Sequence, residues 1–526
     1  MLDLSPSTAR ALGYLVLAVV AAVLVASHTP VGAALSMDSL TYISTAENIL
    51  DGNGITHSTH ALSGPALRPT TLWPPLYPVL VAAISWVASL AGTSDVVGIA
   101  VFNVIALIAS MYLIVRIASL AASEQAGIFV AIAVAISPSI QIVFTYAWSE
   151  VIFIPLCLAA YLSLQHYLTG NESVRRRWLY AMIIFLGLAT YTRYVGLAFF
   201  SSAALTMLLY GRGDLLQRLR TVTAVTLAYL VFLAPMLLRN LVQAGSFSGG
   251  DRGSPGINLL SDIGTLLWYL YLEFLNLPIL IGAVVFLVAL ASATWLLLRH
   301  TGASKQGSLP YGLPNIIVPF LFAICYMIFL LISRGRQSID LDSRMLSVVV
   351  PFLMLGLLGV YQKLLLREGN RLAVIPLLLP LAAFAIGAFH THTNIMKGWR
   401  ELGEPGSILG KTYRSMTGHQ MDALRGIGEH FVPGDGDLVL TDISRPIIVE
   451  YLFPGADVRQ MPGMPDDQKM AELDASLQRE GIAIIGSSAW SQALSNSLEG
   501  RAHFYNIADQ AGSTKYVVIT LPVDAK

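Results

Sequence analysis

Apolar residues in this chain come in blocks of about 18–24, the length a helix needs to cross a bilayer. The blocks recur from residue 11 to residue 390. That pattern commits the chain to a polytopic membrane protein built of helices. Composition agrees: 55% of the 526 residues are hydrophobic and 12% are charged, roughly half the charge of a soluble domain. The first block is longer than a signal peptide's apolar region and no clean cleavage site follows it, so it reads as a retained span. Net charge is zero, which leaves no basic face for nucleic acid. Cys157 and Cys325 both fall inside expected spans and read as small buried apolar residues, not as a disulfide framework.

The spacing predicts spans near 11–33, 97–117, 125–145, 150–168, 178–194, 196–211, 221–243, 277–299, 313–333, 344–366 and 371–390. The block 75–92 is ambiguous, and charge decides it. Arg175–Arg177, Arg212–Arg220, Arg299–Lys305 and Lys363–Arg371 are basic clusters of the kind that collects in short cytoplasmic loops. All of them fall on one side if 75–92 lies in the interface, entered through Pro74-Pro75 and anchored by Trp73, Tyr77 and Trp86. The expected topology is then about eleven spans, a cytoplasmic N-terminus and an external C-terminal region. The sequon at Asn171 would lie in the cytoplasm, where it carries no meaning. The outer face receives the 34–96 loop, the Ser149-Glu150 junction, Thr192–Tyr194, the 244–276 loop and Ser333–Arg344.

Beyond residue 390 the apolar runs shorten and charge rises. Lys397–Arg414 reads as a linker, within a boundary region 391–414. Leu438–Leu440, Ile482–Ile485 and Tyr516–Ile519 read as buried strands, with a helical pattern at 466–479. The expectation is a small α/β domain over 415–526, outside the membrane. It has no Walker loop and no Gly-x-Gly-x-x-Gly fingerprint, so no nucleotide is assigned to it.

The residues able to carry chemistry sit on the outer face. Asp38 follows the first span, with Tyr42 one turn on in a segment, 37–50, of helical spacing that Asp51-Gly52-Asn53-Gly54 breaks. An acid there is an N-cap by one reading and a base by another. Glu150 opens a span after Phe144, Tyr146 and Trp148, and an acid in a first turn also suits the helix dipole. Arg193, Arg239, Arg334, Arg336 and Arg344 stand at outer span ends; each could snorkel to headgroups, or offer its planar fork to phosphate oxygens. Asp340 and Asp342 are close enough in sequence to pair with these arginines. His57 and His60 form a His-x-x-His pair on a loop, a structural arrangement more often than a metal site; His390 and His392 are similar.

Taken in order, these residues resemble a known family. Asp38-x-x-x-Tyr42, Ala46, Leu50, Gly52-x-Gly54 and Pro74-Pro75-Leu76-Tyr77-Pro78 resemble the first external loop of GT-C-fold glycosyltransferases. The group they look most like is that of the protein O-mannosyltransferases and aminoarabinose transferases, in their bacterial relatives. Trp148-Ser149-Glu150 looks like the second acidic site. Thr192–Leu197 after Gly187-Leu188-Ala189, Pro235–Asn240 with Gly245, and Asp342–Leu346 with Pro351 resemble later elements, so the likeness covers about residues 8–390. One departure is that many eukaryotic relatives carry Asp-Glu where this chain has Asp38-Ser39.

The resemblance implies transfer of a sugar from a polyprenyl-phosphate donor to an extracytoplasmic glycan, lipid or protein, with inversion. Asp38 would be the general base, and Glu150 would contact the sugar or an acceptor hydroxyl. Arg193, Arg239 and Arg344, with Asn240, would hold the donor phosphate. Tyr42, Arg68, Trp73, Tyr194 and Asp342 complete the set as substrate contacts. Some enzymes of the fold need a divalent metal and others do not, and the residues commit to none. The expected location is a bacterial inner membrane.

A transporter or lipid-linked-sugar flippase is the alternative. It would show paired repeats and broken helices with ionisable residues near the midplane, whereas here those residues gather at outer ends. A non-catalytic scaffold would leave the polar first loop unexplained.

Overall fold

The computed structural model describes residues 6–30, 32–61, 64–250, 253, 258–274, 313–335, 339, 341–362 and 384–396, and strands at 438–441, 457–460, 482–486, 503–508 and 514–520. The chain divides into two compact units. One holds Met1–Pro30, Thr71–Tyr77 and Ala100–Trp399; the other holds Val31–Thr70, Pro78–Ile99 and Arg400–Lys526.

The first unit is helical. It contains α1 (Pro6–His28), most of α4 (Asp95–Ala121), α5 (Glu124–Ile136), α6 (Pro138–Thr145), α7 (Glu150–Thr169), α8 (Glu172–Thr192), α9 (Gly196–Tyr210), α10 (Leu215–Ala244) and α11 (Leu259–Phe274). Helices Leu313–Arg334, Ser343–Leu346, Val350–Tyr361 and 384–396 follow. Among the described residues five helices are long and apolar enough to cross a membrane, or six if α5 and α6 form one bent span. An aromatic cluster holds the centre: Phe199 meets Phe153, Phe322 and Tyr326 edge-on, and Tyr161 packs edge-on against Phe322 and Phe352.

Four expectations need correction. The single span at 125–145 is a pair of helices bent by 64°. Ser137 is extended (ψ 145°) and Pro138 opens α6, because the residue before proline is pushed out of the helical region. The span expected from 344 begins as the four-residue helix Ser343–Leu346 and restarts at Val350. The expected 244–276 loop contains α11. The Arg175–Arg177 cluster lies within α8, not before it. The spans at 277–299 and most of 371–390, the linker Lys397–Arg414, Arg336, Asp340 and the helical pattern at 466–479 lie outside the described residues.

The second unit contains α2 (Met37–Leu50), a hairpin of β1 (Thr56–Ala61) and β2 (Gly64–Pro69), nearly all of α3 (Leu76–Leu90), the start of α4, and a five-stranded sheet. The sheet runs β4 (Asp457–Gln460), β3 (Leu438–Thr441), β5 (Ile482–Gly486), β7 (Thr514–Thr520), β6 (His503–Ala508). β3 pairs in parallel with β4 and β5, and β7 pairs antiparallel with β5 and β6. The three expected strands are present, joined by β4 and β6. Both hairpin strands lie beside β4, and α2 packs on β1. The helix expected at 75–92 is α3; it turns at Gly92 (φ 66°) into α4, where Gly98 sits close against Ile84 and Ala88.

Candidate active site

In the second unit, α2 carries Asp38. Ser36 is its N-cap: the Ser39 N–H donates to Ser36 Oγ (3.4 Å), and the Ser36 N–H donates to Ser39 Oγ (3.0 Å). This is a reciprocal capping box. The cap is therefore Ser36, and Asp38 is a half-buried acid in the first turn, where the helix dipole favours its charge. The segment before α2 is held by the Ala33 N–H, which donates to the Val96 carbonyl (2.8 Å). Tyr42, four residues on and on the same face, is buried at 2% exposure. Arg68 is exposed on β2, opposite His57. The His57 ring is hydrogen-bonded to Thr70 (3.1 Å).

In the first unit, Glu150, Arg193 and Arg344 come together. Glu150 is fully buried and ion-paired to both arginines. Arg344 Nε donates to Oε1 at 2.6 Å and Arg344 Nη2 donates to Oε2 at 3.2 Å, a bidentate fork. Arg193 Nη1 also donates to Ser149 Oγ (3.1 Å), and Nη2 donates to Met345 Sδ (3.1 Å). The Arg344 guanidinium lies 4.2 Å over the Trp148 ring, and Trp148 stacks on Tyr146. Asp342 is the N-cap of Ser343–Leu346, accepting from the Met345 N–H at 3.0 Å. It thus fixes the turn that presents Arg344. The Tyr326 hydroxyl donates to the Met345 carbonyl (2.8 Å). Glu150 thus orders two guanidiniums in a low-dielectric setting, where fixed N–H donors act most strongly on a developing negative charge. The Glu150 carboxylate has no exposed surface and lies against both guanidiniums.

A second cluster in the same unit gathers Tyr194, Asn240 and the Thr71 end of the Trp73-Pro74-Pro75 segment. Asn240 Nδ2 donates to the Tyr194 hydroxyl (2.8 Å) and to the Phe247 carbonyl (3.2 Å). Tyr194 donates to the Thr71 carbonyl (2.8 Å). Gly249 adopts φ 81°, and a Cβ there would overlap the Thr71 oxygen. Asn240 is fully buried and works as a lock on two chain segments. Arg239 beside it is half-buried, with a long contact (3.5 Å) from Nη1 to Asn240 Oδ1. Trp73 is half-buried.

Sequence reasoning missed Asn103, Asp262 and Glu273. Asn103 Nδ2 donates to the Phe144 and Tyr146 carbonyls (2.9 and 3.0 Å), holding the corner that leads to Glu150. Its signal was an amide within an apolar span. Asp262 pairs with Arg334 (2.7 Å). Glu273 accepts from the Ser139 N–H at the start of α6 (3.1 Å), and burial pushes its carboxyl up to about 7. These two acids, eleven residues apart in a Leu-rich stretch, share a helix face, and that spacing was readable. Among the described residues no three His, Cys, Asp or Glu side chains converge.

The family pattern described as dolichyl-phosphate-mannose-protein mannosyltransferase matches residues 74–238. No curated protein sequence matches the chain. Among solved structures, ArnT from Cupriavidus metallidurans bound to undecaprenyl phosphate is similar with a TM-score of 0.59 at 16% identity, covering 97% of this chain and 98% of that one. The arabinofuranosyltransferase AftD from Mycobacteria gives 0.52 at 15% identity over 98% of this chain and 40% of that one. The apo oligosaccharyltransferase of Archaeoglobus fulgidus gives 0.50 at 11% identity, over 96% and 74%. At these identities the structural likeness establishes the fold, and the matched pattern adds the class of enzyme. The chain is a polytopic membrane glycosyltransferase of the GT-C fold.

Proposed function

We propose that this protein transfers a sugar from a polyprenyl-phosphate donor to an extracytoplasmic glycan, lipid or protein. The observation that carries the reading is the Arg193–Glu150–Arg344 cluster, two cations ordered by one buried anion, on a fold shared with a protein solved bound to undecaprenyl phosphate. The arginines stabilise the charge that develops on the leaving phosphate, and Arg239 contributes from the end of α10. Glu150 is a positioning residue that holds both guanidiniums in place. Asp38 removes the proton from the acceptor hydroxyl as the new glycosidic bond forms. Attack opposite the departing phosphate inverts the anomeric carbon. The reading places the protein in a bacterial inner membrane, with the N-terminus cytoplasmic and the C-terminal sheet outside.

The test uses purified protein in bilayer nanodiscs with a panel of undecaprenyl-phosphate-linked hexoses and pentoses and a cell-envelope extract. The reading expects release of undecaprenyl phosphate together with a new glycoconjugate. Movement of intact lipid-linked sugar across vesicles without any product would instead establish the flippase alternative.

A further inference from the structure

The hairpin is tied to α2 by a chain of hydroxyls buried within the second unit. Thr45 Oγ1 donates to the Thr41 carbonyl (2.7 Å) and lies 3.0 Å from Thr70 Oγ1, which lies 3.1 Å from His57 Nδ1. Thr45 and Thr70 are 0% and 1% exposed. A hydroxyl carries one proton. Thr45 spends its proton on Thr41, so it accepts from Thr70. Thr70 has then spent its own, so it accepts from His57. The chain has one direction, and His57 must carry its proton on Nδ1.

Thr45 stands seven residues after Asp38. Seven helical residues bring a side chain back to within about 20° of the same direction, roughly 10 Å along the axis. Whatever fixes the rotation of α2 at Thr45 therefore fixes it for Asp38. A turn of roughly 10° about the axis moves a side-chain tip at roughly 5–6 Å radius by roughly 1 Å. The hairpin is itself held from another side, because both its strands lie beside β4. Other ties join the same elements: the Ser58 N–H donates to Ser44 Oγ (3.4 Å) and Asn53 Nδ2 donates to Asn48 Oδ1 (3.3 Å). Loss of one hydroxyl thus leaves the hairpin attached.

We infer that His57, Thr70 and Thr45 form a directional latch by which the hairpin, backed by the C-terminal sheet, sets the rotational position of Asp38. They are positioning residues, and the inference rests on the reading of Asp38 as the base.

The experiment compares turnover of T70V, T70S, H57Q and H57N with the undecaprenyl-phosphate sugar that reacts in the panel above. T70V keeps the shape of threonine without its hydroxyl. Asparagine places an amide N–H near the Nδ1 position of histidine, whereas glutamine reaches toward Nε2. T70V and H57Q should lower kcat by about 10- to 100-fold, the scale of a 1 Å misplacement, with donor KM within about twofold. T70S and H57N should recover most of the rate. In the wild type, nitrogen-15 spectra should show His57 protonated on Nδ1. Wild-type kcat in T70V, or equal losses in T70V and T70S or in H57Q and H57N, would overturn the latch, as would an Nε2-protonated His57. D38N is run alongside: full turnover in D38N sinks the base reading itself, whereas a dead D38N beside an unimpaired T70V sinks only the latch.

Discussion

Asp38 and Glu150 enter the sequence in the same way, as acids in the first turn of a helix at the expected end of an apolar block. Their surroundings then diverge. Asp38 lies half-buried on a helix whose capping is done by Ser36 and Ser39. Glu150 opens a membrane-spanning helix, has no exposed surface and is held by two guanidiniums. The capping of one helix falls to the neighbours of its acid; the other acid orders two arginines. An acid at a helix start becomes a candidate for chemistry when something else caps the helix. Glu273 is a third case, buried against the start of α6, where it accepts from the Ser139 N–H.

The sharpest break of this comparison is at Asp38. D38N should insert and fold normally yet lose about 10²- to 10⁴-fold in turnover, the usual range for a general base. Next is Glu150. E150Q leaves two buried guanidiniums facing each other and should cost about 3–5 kcal/mol of stability, read as a drop in thermal midpoint; a D38N-like profile, inactive but fully stable, would put Glu150 in the chemistry instead.

Glu273 gives a pH dependence. Its folded pKa of about 7 stands above its ordinary value of 4.5. Between those values the folded state keeps a proton that the unfolded chain has released. Stability therefore falls as pH rises through that window, by up to about 3 kcal/mol. E273Q should lose this part of the slope, seen by comparing thermal midpoints at pH 5 and pH 7.5. The smallest effect is at Asp342, where D342A removes a cap worth about 1 kcal/mol. Looser presentation of Arg344 should raise donor KM, and D342N should restore it; an unchanged KM in D342A would separate the cap from the donor site.

Much of this arrangement was legible before the fold was known. The apolar blocks, the helix after the first span, its stop at the two glycines and three strands of the C-terminal sheet followed from periodicity and turn chemistry. The cap of α2 did not, because Ser36 and Asp38 are both good capping residues and the box closes on a serine at Ser39 in place of the usual Glu or Gln. The bend at Ser137-Pro138 was masked by apolar residues on both sides that made one block. The pairing of Glu150 with Arg344 spans 194 residues, and no local pattern reports a contact made only by packing. His57 offered a metal-like spacing, but its hydrogen bond to Thr70 depends on the register of a hairpin.

The most direct test of the account is single-turnover transfer by D38N in nanodiscs, at saturating donor and beside a matched thermal melt. The account predicts a wild-type melt and no detectable product on the wild-type timescale. A wild-type melt with wild-type turnover would contradict it.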